Sequence, residues 1–422
     1  MPKLNLFLSS NNDHIDHSCE LLRKHIGLVR KEQTKALKLL LCNLKIHTNK
    51  EIFAPRRTQA ISTRRGNPLS IGARSLNSSQ DALHKHGFIA LEVGEWLANK
   101  HTTIISTPKL HDWFDEHHWT NDDIDAFNGQ HVTLRLNEDT RSDVDYEDTK
   151  YSKWLNTNLA SYSKVLNNAT IQLLDEDGSV SKQYSKHTIS RKFIKHSHHP
   201  ANGEFLFGGR MSGPWVSLTS KERKRIIING EPTIEIDRPA SHLNAMYEVI
   251  TGAPYKDGYP YDLIINSSLV PKHIVKNLSA FMQGAKSTAG TAIRVGNHYK
   301  REVGKKDSKE QDKLNQRQWL SYKKRVNSST IIDEFLKKHS AVKGSYLRGK
   351  QYGDMIQCWE ADIVFEIVIK LVKRDIPVLT VYDSFIVQQQ YEDILIKLMS
   401  EVKFINRREL DKMILFRPSL LL

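Results

Sequence analysis

The spacing of apolar positions divides the chain into a leucine-rich start, a polar link, and a second half where helices and short strands alternate. Residues 19–47 place Leu21, Leu22, Ile26, Leu28 and then Leu37 to Leu44 at near-helical intervals, which predicts one or two amphipathic helices. Residues 50–80 interrupt this with Pro55, Gly66, Pro68, Gly72 and five arginines (Arg56, Arg57, Arg64, Arg65, Arg74). That stretch reads as an exposed basic linker, with contact along a phosphate backbone as its second reading. Next come a predicted helix from Asp81 to about Asn99, a strand over 101–106, and a helix capped by Thr107 with Pro108 at its first position. This order suits a winged-helix-like element or a plain packing subdomain. An acidic loop over 131–150 and a helix over 150–167 complete the first half.

From about Phe205 the pattern gives a glycine-rich loop with a basic cluster (208–225), a strand ending at Asp237, and a helix over 241–250. A long basic helical section (270–350), a helix over 355–373 and two short strands around Asp383 follow. The class expected is α+β, an antiparallel sheet split by a helical insertion and preceded by a mostly helical N-terminal region.

Two carboxylates stand out against this pattern. Asp383 interrupts the run Val-Leu-Thr-Val-Tyr-Asp-Ser-Phe-Ile-Val (378–387), and Asp237 closes Thr-Ile-Glu-Ile-Asp (233–237). An acid at a strand tip is costly unless a cation meets it, because desolvation works against its charge. Two such acids on adjacent strand ends suit a pair of divalent metals, the arrangement used for phosphoryl transfer. Glu235, two residues before Asp237, faces the same side of the strand and is a candidate third ligand. The competing reading is that strand-end aspartates close turns through side-chain to backbone bonds.

Charge narrows the partner. The formal net charge is +14, and residues 272–350 alone hold 19 Lys and Arg against 6 Asp and Glu. Nucleic acid is the first polyanion to consider and an anionic membrane surface the second. The three cysteines (Cys19, Cys42, Cys358) are far apart and form no CxxC pair, so neither a zinc site nor a disulfide framework is expected. No stretch reaches the roughly 20 apolar residues of a membrane span, and the apolar run at the N-terminus is too short for a secretory signal. A cytoplasmic location without membrane contact is the expectation.

The segment Met-Ile-Gln-Cys-Trp-Glu-Ala-Asp-Ile-Val-Phe-Glu-Ile-Val-Ile-Lys-Leu (355–371), followed by Leu-Thr-Val-Tyr-Asp-Ser-Phe, resembles the end of family A (DNA polymerase I-like) polymerases. Ile356, Gln357, Ala361 and Asp362 fall in register with that family's Ile-Gln-x-x-x-Ala-Asp helix, and Asp383 takes the motif C aspartate position. Gly209, Arg210, Pro214, Leu218 to Arg225 and Ile-Glu-Ile-Asp-Arg-Pro-Ala-Ser-His (234–242) resemble its motif A region. The resemblance spans about 205–390. It implies metal-binding roles for Asp237 and Asp383, and a nucleotide-side position for Gln357. Lys-His-Ile-Val-Lys (272–276) resembles motif B, which implies that Lys272 and Lys276, one turn apart on a helix, reach an incoming triphosphate, with Lys276 aiding pyrophosphate departure.

This sequence departs from the family at several points. Ala280, Gly284 and Ala285 stand where motif B has an aromatic residue and Tyr-Gly. Tyr382-Asp383-Ser384 replaces His-Asp-Glu, an ending similar to single-subunit phage RNA polymerases. His242 occupies the place of a ribose-excluding Glu and is bulky enough to act as a gate, so deoxynucleotides are favoured. Arg210, Lys221, Arg223, Lys224 and Arg225 would contact template or primer phosphates. Trp215, Tyr299, Trp319 and Tyr322 are candidates for stacking on unpaired bases, with packing as the competing reading.

The resemblance therefore implies a polymerase-like palm with a helical fingers insertion, two Mg²⁺ ions (Mn²⁺ as the alternative), a DNA template and primer, and dNTPs (rNTPs as the alternative). A compact enzyme of this sort would suit a plasmid, phage or other mobile element. The expected organisation is a helical N-terminal segment and basic linker (1–80), a helical, winged-helix-like and thumb-like region (81–200), a palm part with motif A (201–269), basic helical fingers (270–354) and a palm part with motif C (355–422). An RNA polymerase or primase is one alternative. A replication-initiation or nucleic-acid-binding protein with an inactive palm is the other.

Overall fold

A computed structural model of the chain describes residues 4–6, 8–10, 12–54, 56, 67, 71–94, 101–126, 131–136, 143–184, 189–196, 205–305 and 309–408. Arg57, Arg64 and Arg65 of the basic linker and the expected 200/201 boundary lie outside the described residues. The fold is α+β and forms two compact units, Met1–Asn168 with Tyr184–Ser190, and Ala169–Gln183 with Arg191–Leu422. Among the described residues no helix is long and apolar enough to cross a membrane.

The N-terminal unit opens with strand β1 (Leu8–Ser9), helices α1 (Asp13–His25) and α2 (Lys31–Ile46), and strand β2 (Ile52–Phe53). Helix α3 (Ala73–Lys85), strands β3 (Ile89–Glu92) and β4 (Thr103–Ser106), helix α4 (Pro108–Glu116) and strand β5 (Asp125–Ala126) follow. β6 (Val132–Leu136), β7 (Asp143–Val144) and α5 (Lys150–Asn167) come last. Strands β2, β4 and β3 form an antiparallel sheet in that order, while β1 pairs with β5 and β6 with β7. The leucines of α2 supply the middle of a core shared with Ile15, Leu22, Leu76, Leu83 and Phe114.

Two expectations need correction here. The helix predicted from Asp81 to about Asn99 instead runs from Ala73 to Lys85 and gives way to β3. Gly87 stops it: with φ +75° it takes the left-handed turn, and the Phe88 N–H closes back on the Leu83 carbonyl at 2.9 Å. Thr107 does precede α4 and Pro108 does begin it, but the Thr107 side chain makes no cap bond. Its hydroxyl donates instead to the Gly87 and Phe88 carbonyls, at 2.7 and 2.9 Å.

The C-terminal unit is built on a six-stranded sheet. Its members are β8 (Ile171–Leu174), β9 (Val180–Tyr184), β12 (Ile226–Ile228), β13 (Glu231–Asp237), β16 (Leu379–Val381) and β17 (Ser384–Gln388), in the order β16-β17-β13-β12-β8-β9. β10 (Ser190–Lys195) and β11 (Gly208–Ser212) are neighbours in a different sheet, of four strands. A short helix α6 (Ser220–Arg223) precedes β12, and α7 (Ser241–Thr251) follows β13. Then come the small hairpin β14 (Ile264–Ile265) and β15 (Ser268–Leu269) and four helices, α8 (Lys272–Met282), α9 (Thr288–Val303), α10 (Glu310–Arg325) and α11 (Ser328–Lys338). Helix α12 (Lys350–Val372) leads back to β16, and α13 (Glu392–Glu401) follows β17.

β17 is buried along its whole length, so it shows no alternation and reads as a short apolar run. In β13 the period is two, with Thr233, Glu235 and Asp237 on one face and Ile234 and Ile236 on the other. Helix α12 is buried on nearly every side and packs on β11 and α7. An acid on such a helix must find a cation, and three do. Asp362 accepts from Arg191 at 2.9 Å and from Arg408 at 2.5 Å, Glu366 pairs with Arg407, and Glu360 faces the site described below. Burial opposes the charge on Asp362, but the guanidiniums of Arg408 and Arg191 outweigh it and hold its pKa below the ordinary aspartate value.

Gly209 fixes how closely β11 and β10 approach. It has φ +77°, and a Cβ there would lie 2.5 Å from the Phe193 ring and 3.0 Å from Arg191 Nη2. Gly209→Ala combines a left-handed backbone with a clash against a buried aromatic, so it is expected to cost about 2 kcal/mol or more. Urea unfolding measures this, and a loss under about 0.5 kcal/mol, the range of a neutral surface change, would refute it.

Candidate active site

The ends of two paired strands bring Asp237 and Asp383 together. β13 and β17 run antiparallel with Ile236 opposite Phe385 and Asp237 opposite Ser384. The Arg238 N–H donates to the Asp383 carbonyl at 3.1 Å, and the Ser384 hydroxyl donates to Asp237 Oδ1. The two acids, 146 positions apart in the chain, therefore share one edge of the sheet. β16 and β17 are joined through only Tyr382 and Asp383. Tyr382 has φ +59°, uncommon for a bulky residue. The Arg210 guanidinium lies over its ring, 4.8 Å from the centroid. Ala240, on the turn from Asp237 into α7, is also left-handed at φ +46°.

Behind the acids is a buried polar cluster drawn from four elements. Glu360 on α12 is 2% exposed. It accepts from Arg210 of β11, whose Nη2 lies at 2.6 Å and Nε at 3.2 Å. His242 of α7 places Nε2 3.1 Å from the same carboxylate oxygen and 3.0 Å from Arg210 Nη2. Its Nδ1 meets Gln283 Oε1, just past the end of α8, at 2.6 Å. The Glu360 carboxylate beside Nε2 favours the protonated ring, while the Arg210 guanidinium beside the same nitrogen opposes it.

The electrostatics follow from that cluster. Burial opposes the Glu360 charge, yet His242 and Arg210 hold its pKa at about 2. Burial also works against a charged His242, but Glu360 raises its pKa above the ordinary histidine value. Asp383 is pushed up from the usual aspartate range, by burial first and by the negative charge of Glu360 second. An acid so placed stands to gain from a cation in front of it.

The other sequence-predicted residues fall around this centre in different ways. Glu235 is engaged by Arg223, whose Nε lies 3.0 Å from each carboxylate oxygen and whose Nη2 lies 2.8 Å from one. Both residues line a cleft of about 380 Å³ with Ser220, Lys224, Thr233, Ile234 and Asp237. Lys221 and Lys224 are exposed and Arg225 is half-buried. Arg210, expected among the phosphate contacts, sits on Glu360 and His242.

Gln357 is half-buried on α12, three residues before Glu360 and four after Gly353, so the three share a face. At Gly353 a Cβ would lie 3.1 Å from the Gln283 carbonyl, so the missing side chain lets α12 come close to the end of α8. Lys272 and Lys276 lie on the opposite, N-terminal part of α8. Lys272 is 3.3 Å from Asp262 and sits 4.5 Å from the Tyr259 ring centre, and Lys276 is exposed. Trp215, Tyr299, Trp319 and Tyr322 are all buried. Packing is their role rather than base stacking, and Trp215 Nε1 donates to the Thr380 carbonyl at 3.0 Å. Asp362 points away from the site because two residues along a helix turn a side chain to the far face.

Sequence reasoning missed Glu360 and Gln283, and it marked Ser384 only as a departure from motif C, not as a partner of Asp237. Glu360 carried one readable signal, an acid inside a helix too apolar to leave it unpaired.

The donor set was considered as a magnesium site. Among the described residues no group of three or more His, Cys, Asp or Glu is placed to hold a metal ion. Asp237 and Asp383 alone still fit Mg²⁺, which keeps several waters and takes one or two carboxylates plus substrate phosphates rather than an all-protein cage. Glu235, with its charge matched by Arg223, fits less well as a third ligand. No protein-family model matches the chain, and neither a curated protein nor a solved structure matches it.

Proposed function

We propose that the C-terminal unit is a template-directed nucleotidyltransferase with a family A-like palm, extending a DNA primer with deoxynucleotides. The observation that carries this reading is the meeting of Asp237 and Asp383 on adjoining strand ends, backed by a buried Glu360–Arg210–His242 cluster. In this reading the sheet is the palm and α8 to α11 are the fingers. The 3′-hydroxyl of a primer gives up its proton to solvent and attacks the α-phosphorus of a nucleoside triphosphate, the bond to the β-phosphate breaks, and pyrophosphate leaves with the electron pair. Asp237 and Asp383 would hold Mg²⁺, which would supply charge neutralisation for the transfer. Lys276, exposed on α8, is free to swing toward the triphosphate. The exposed Lys221 and Lys224 guide the duplex by its phosphates.

Primer extension on a primed DNA template, with Mg²⁺ or Mn²⁺ and with dNTPs or rNTPs in separate reactions, tests the reading. Incorporation of dNTPs supports it, and incorporation of rNTPs alone moves the assignment to an RNA polymerase or primase. A folded chain that binds primed template but incorporates neither set refutes it, in favour of a nucleic-acid-binding protein with an inactive palm. The depleted motif B (Ala280, Gly284) and the Arg223-bound Glu235 favour that second reading.

His242 is clamped from both sides, so it can act as a rigid steric gate beside Asp237. His242→Gly is expected to shift the ratio of ribonucleotide to deoxynucleotide incorporation about tenfold or more, the scale of a steric pocket change. Single-nucleotide competition assays measure it, and an unchanged ratio removes His242 from sugar selection.

A further inference from the structure

The N-terminal unit contributes nothing to the chemistry above, yet its connectivity is specific. Helix α2, strand β2, helix α3 and the hairpin β3–β4 follow one another, and the last strand inserts between the first two, giving the sheet order β2-β4-β3. Among the described residues this matches the strand order of a winged-helix domain and the helix that precedes its hairpin; most of the stretch between β2 and α3 that would hold the partner helix is outside the described residues. α3 lays Leu76, Ser79, Gln80 and Leu83 inward and packs on α2, where Gln33 Nε2 donates to Ser78 Oγ at 2.9 Å. Just ahead of α3, the buried Asn67 side chain accepts from the Ile71 N–H at 2.9 Å and donates to the Ile71 carbonyl at 2.6 Å.

The outer stripe of α3 is polar and open. Arg74, Asp81 and Lys85 are exposed, with Asn77 half-buried beside them. Arg56 reaches this stripe and clamps Asp81 through two bonds of 2.6 and 2.8 Å, while Asn77 donates to the Arg56 carbonyl at 2.9 Å. Arginine and asparagine are the side chains that read guanine and adenine edges, and the major groove is wide enough to admit one helix. Charge is distributed to match. Residues 50–85 hold seven Lys and Arg against two acids, whereas residues 108–120 hold one lysine against three acids. Val93, which is exposed, and Gly94, whose N–H donates to Thr102 Oγ1 at 3.0 Å, follow β3.

We propose that the N-terminal unit carries a sequence-reading surface for double-stranded DNA, with α3 in the major groove and the β3–β4 hairpin against the neighbouring backbone. Arg74 reads a base edge and Lys85 holds a phosphate, while Arg56, Asp81 and Asn77 brace the stripe between them. The surface is separate from the polymerase reading and would direct the chain to a particular DNA site.

The test uses the full-length chain and a random duplex library at about 150 mM salt, where sequence-independent binding is weak. An enriched sequence should bind about 10³-fold or more tighter than its shuffled version. Arg74→Ala, whose side chain is exposed, should lower that ratio about tenfold. Lys85→Ala should weaken all duplexes alike and reduce the salt slope by about one. Extension of an unrelated primed template should be unchanged in both variants. The decisive variant is Arg74→Ala. The proposal is overturned if no sequence is enriched, if Arg74→Ala leaves the preference intact, or if single-stranded nucleic acid is bound in preference to every duplex. A chain that fails to extend primers yet selects a duplex overturns only the polymerase reading.

Discussion

Asp383→Asn is expected to remove nucleotide incorporation, by about 10³-fold or more, and at the same time to make the folded chain more stable. Both halves come from one feature. The carboxylate is half-buried, and Glu360 adds negative charge nearby, so its pKa stands above the ordinary aspartate value. An acid whose folded pKa is raised destabilises the folded state once it is ionised, so above that pKa the charge costs stability. Asparagine removes the charge and leaves the turn, because the bond from the Arg238 N–H goes to the main-chain carbonyl of residue 383. Activity should fall because metal-assisted charge stabilisation is worth several kcal/mol, and each 1.36 kcal/mol is about tenfold in rate. Steady-state primer extension and a melting curve of the same preparation measure the two effects. Retained activity would sink the role of Asp383, and a lower melting temperature would show that Glu360 does not press on it.

The readable part of the site was the part set by local pattern. Asp237 and Asp383 could be found because β-branched residues on either side mark strand ends, where a carboxylate has few uses. The antiparallel register of β13 and β17 then follows from two short apolar runs that must share a sheet. Arg210 could not be read in the same way. Within its own segment it is one of several cations near a glycine-rich stretch, and nothing local says that its partner is Glu360, 150 positions later. The same holds for Gln283 and His242, which meet only because α8 and α7 are brought together by α12. Gly353 gives that approach its room, and a lone glycine in a helix does not announce which backbone will come near.

In the N-terminal unit the misread helix had a local cause. The Gly87 stop signal stood in the sequence, but apolar residues beyond it continued at spacings that a helix also accepts. Tertiary pairing of β3 with β4 decided the outcome. The buried aromatics followed the commoner rule: Trp215, Tyr299, Trp319 and Tyr322 interleave with basic residues in sequence, yet large rings contribute most when buried.

Glu360→Ala is the substitution expected to cost most stability. It leaves the Arg210 guanidinium and the His242 ring 3.0 Å apart without the anion that both contact. Removing one member of a buried pair typically costs about 3–5 kcal/mol. Arg210 and His242 keep 28% and 27% of their side-chain exposure, so water softens the loss and the low end, about 3 kcal/mol, is expected. Glu360→Gln keeps the shape and separates charge from packing. The pKa of Glu360 is lowered from 4.5 to about 2, so its ionic stabilisation is complete above the unfolded value of 4.5 and fades as the pH falls toward 2. The pKa of His242 is raised from 6.5, so its share is complete below 6.5 and is lost as the pH rises past the folded value. The stability gap between wild type and Glu360→Gln should therefore be widest near pH 5 to 6. It should narrow on acidification to pH 2 and again toward alkaline pH. Chemical denaturation across that range measures the gap, and a gap independent of pH would mean that Glu360 contributes by packing rather than by charge.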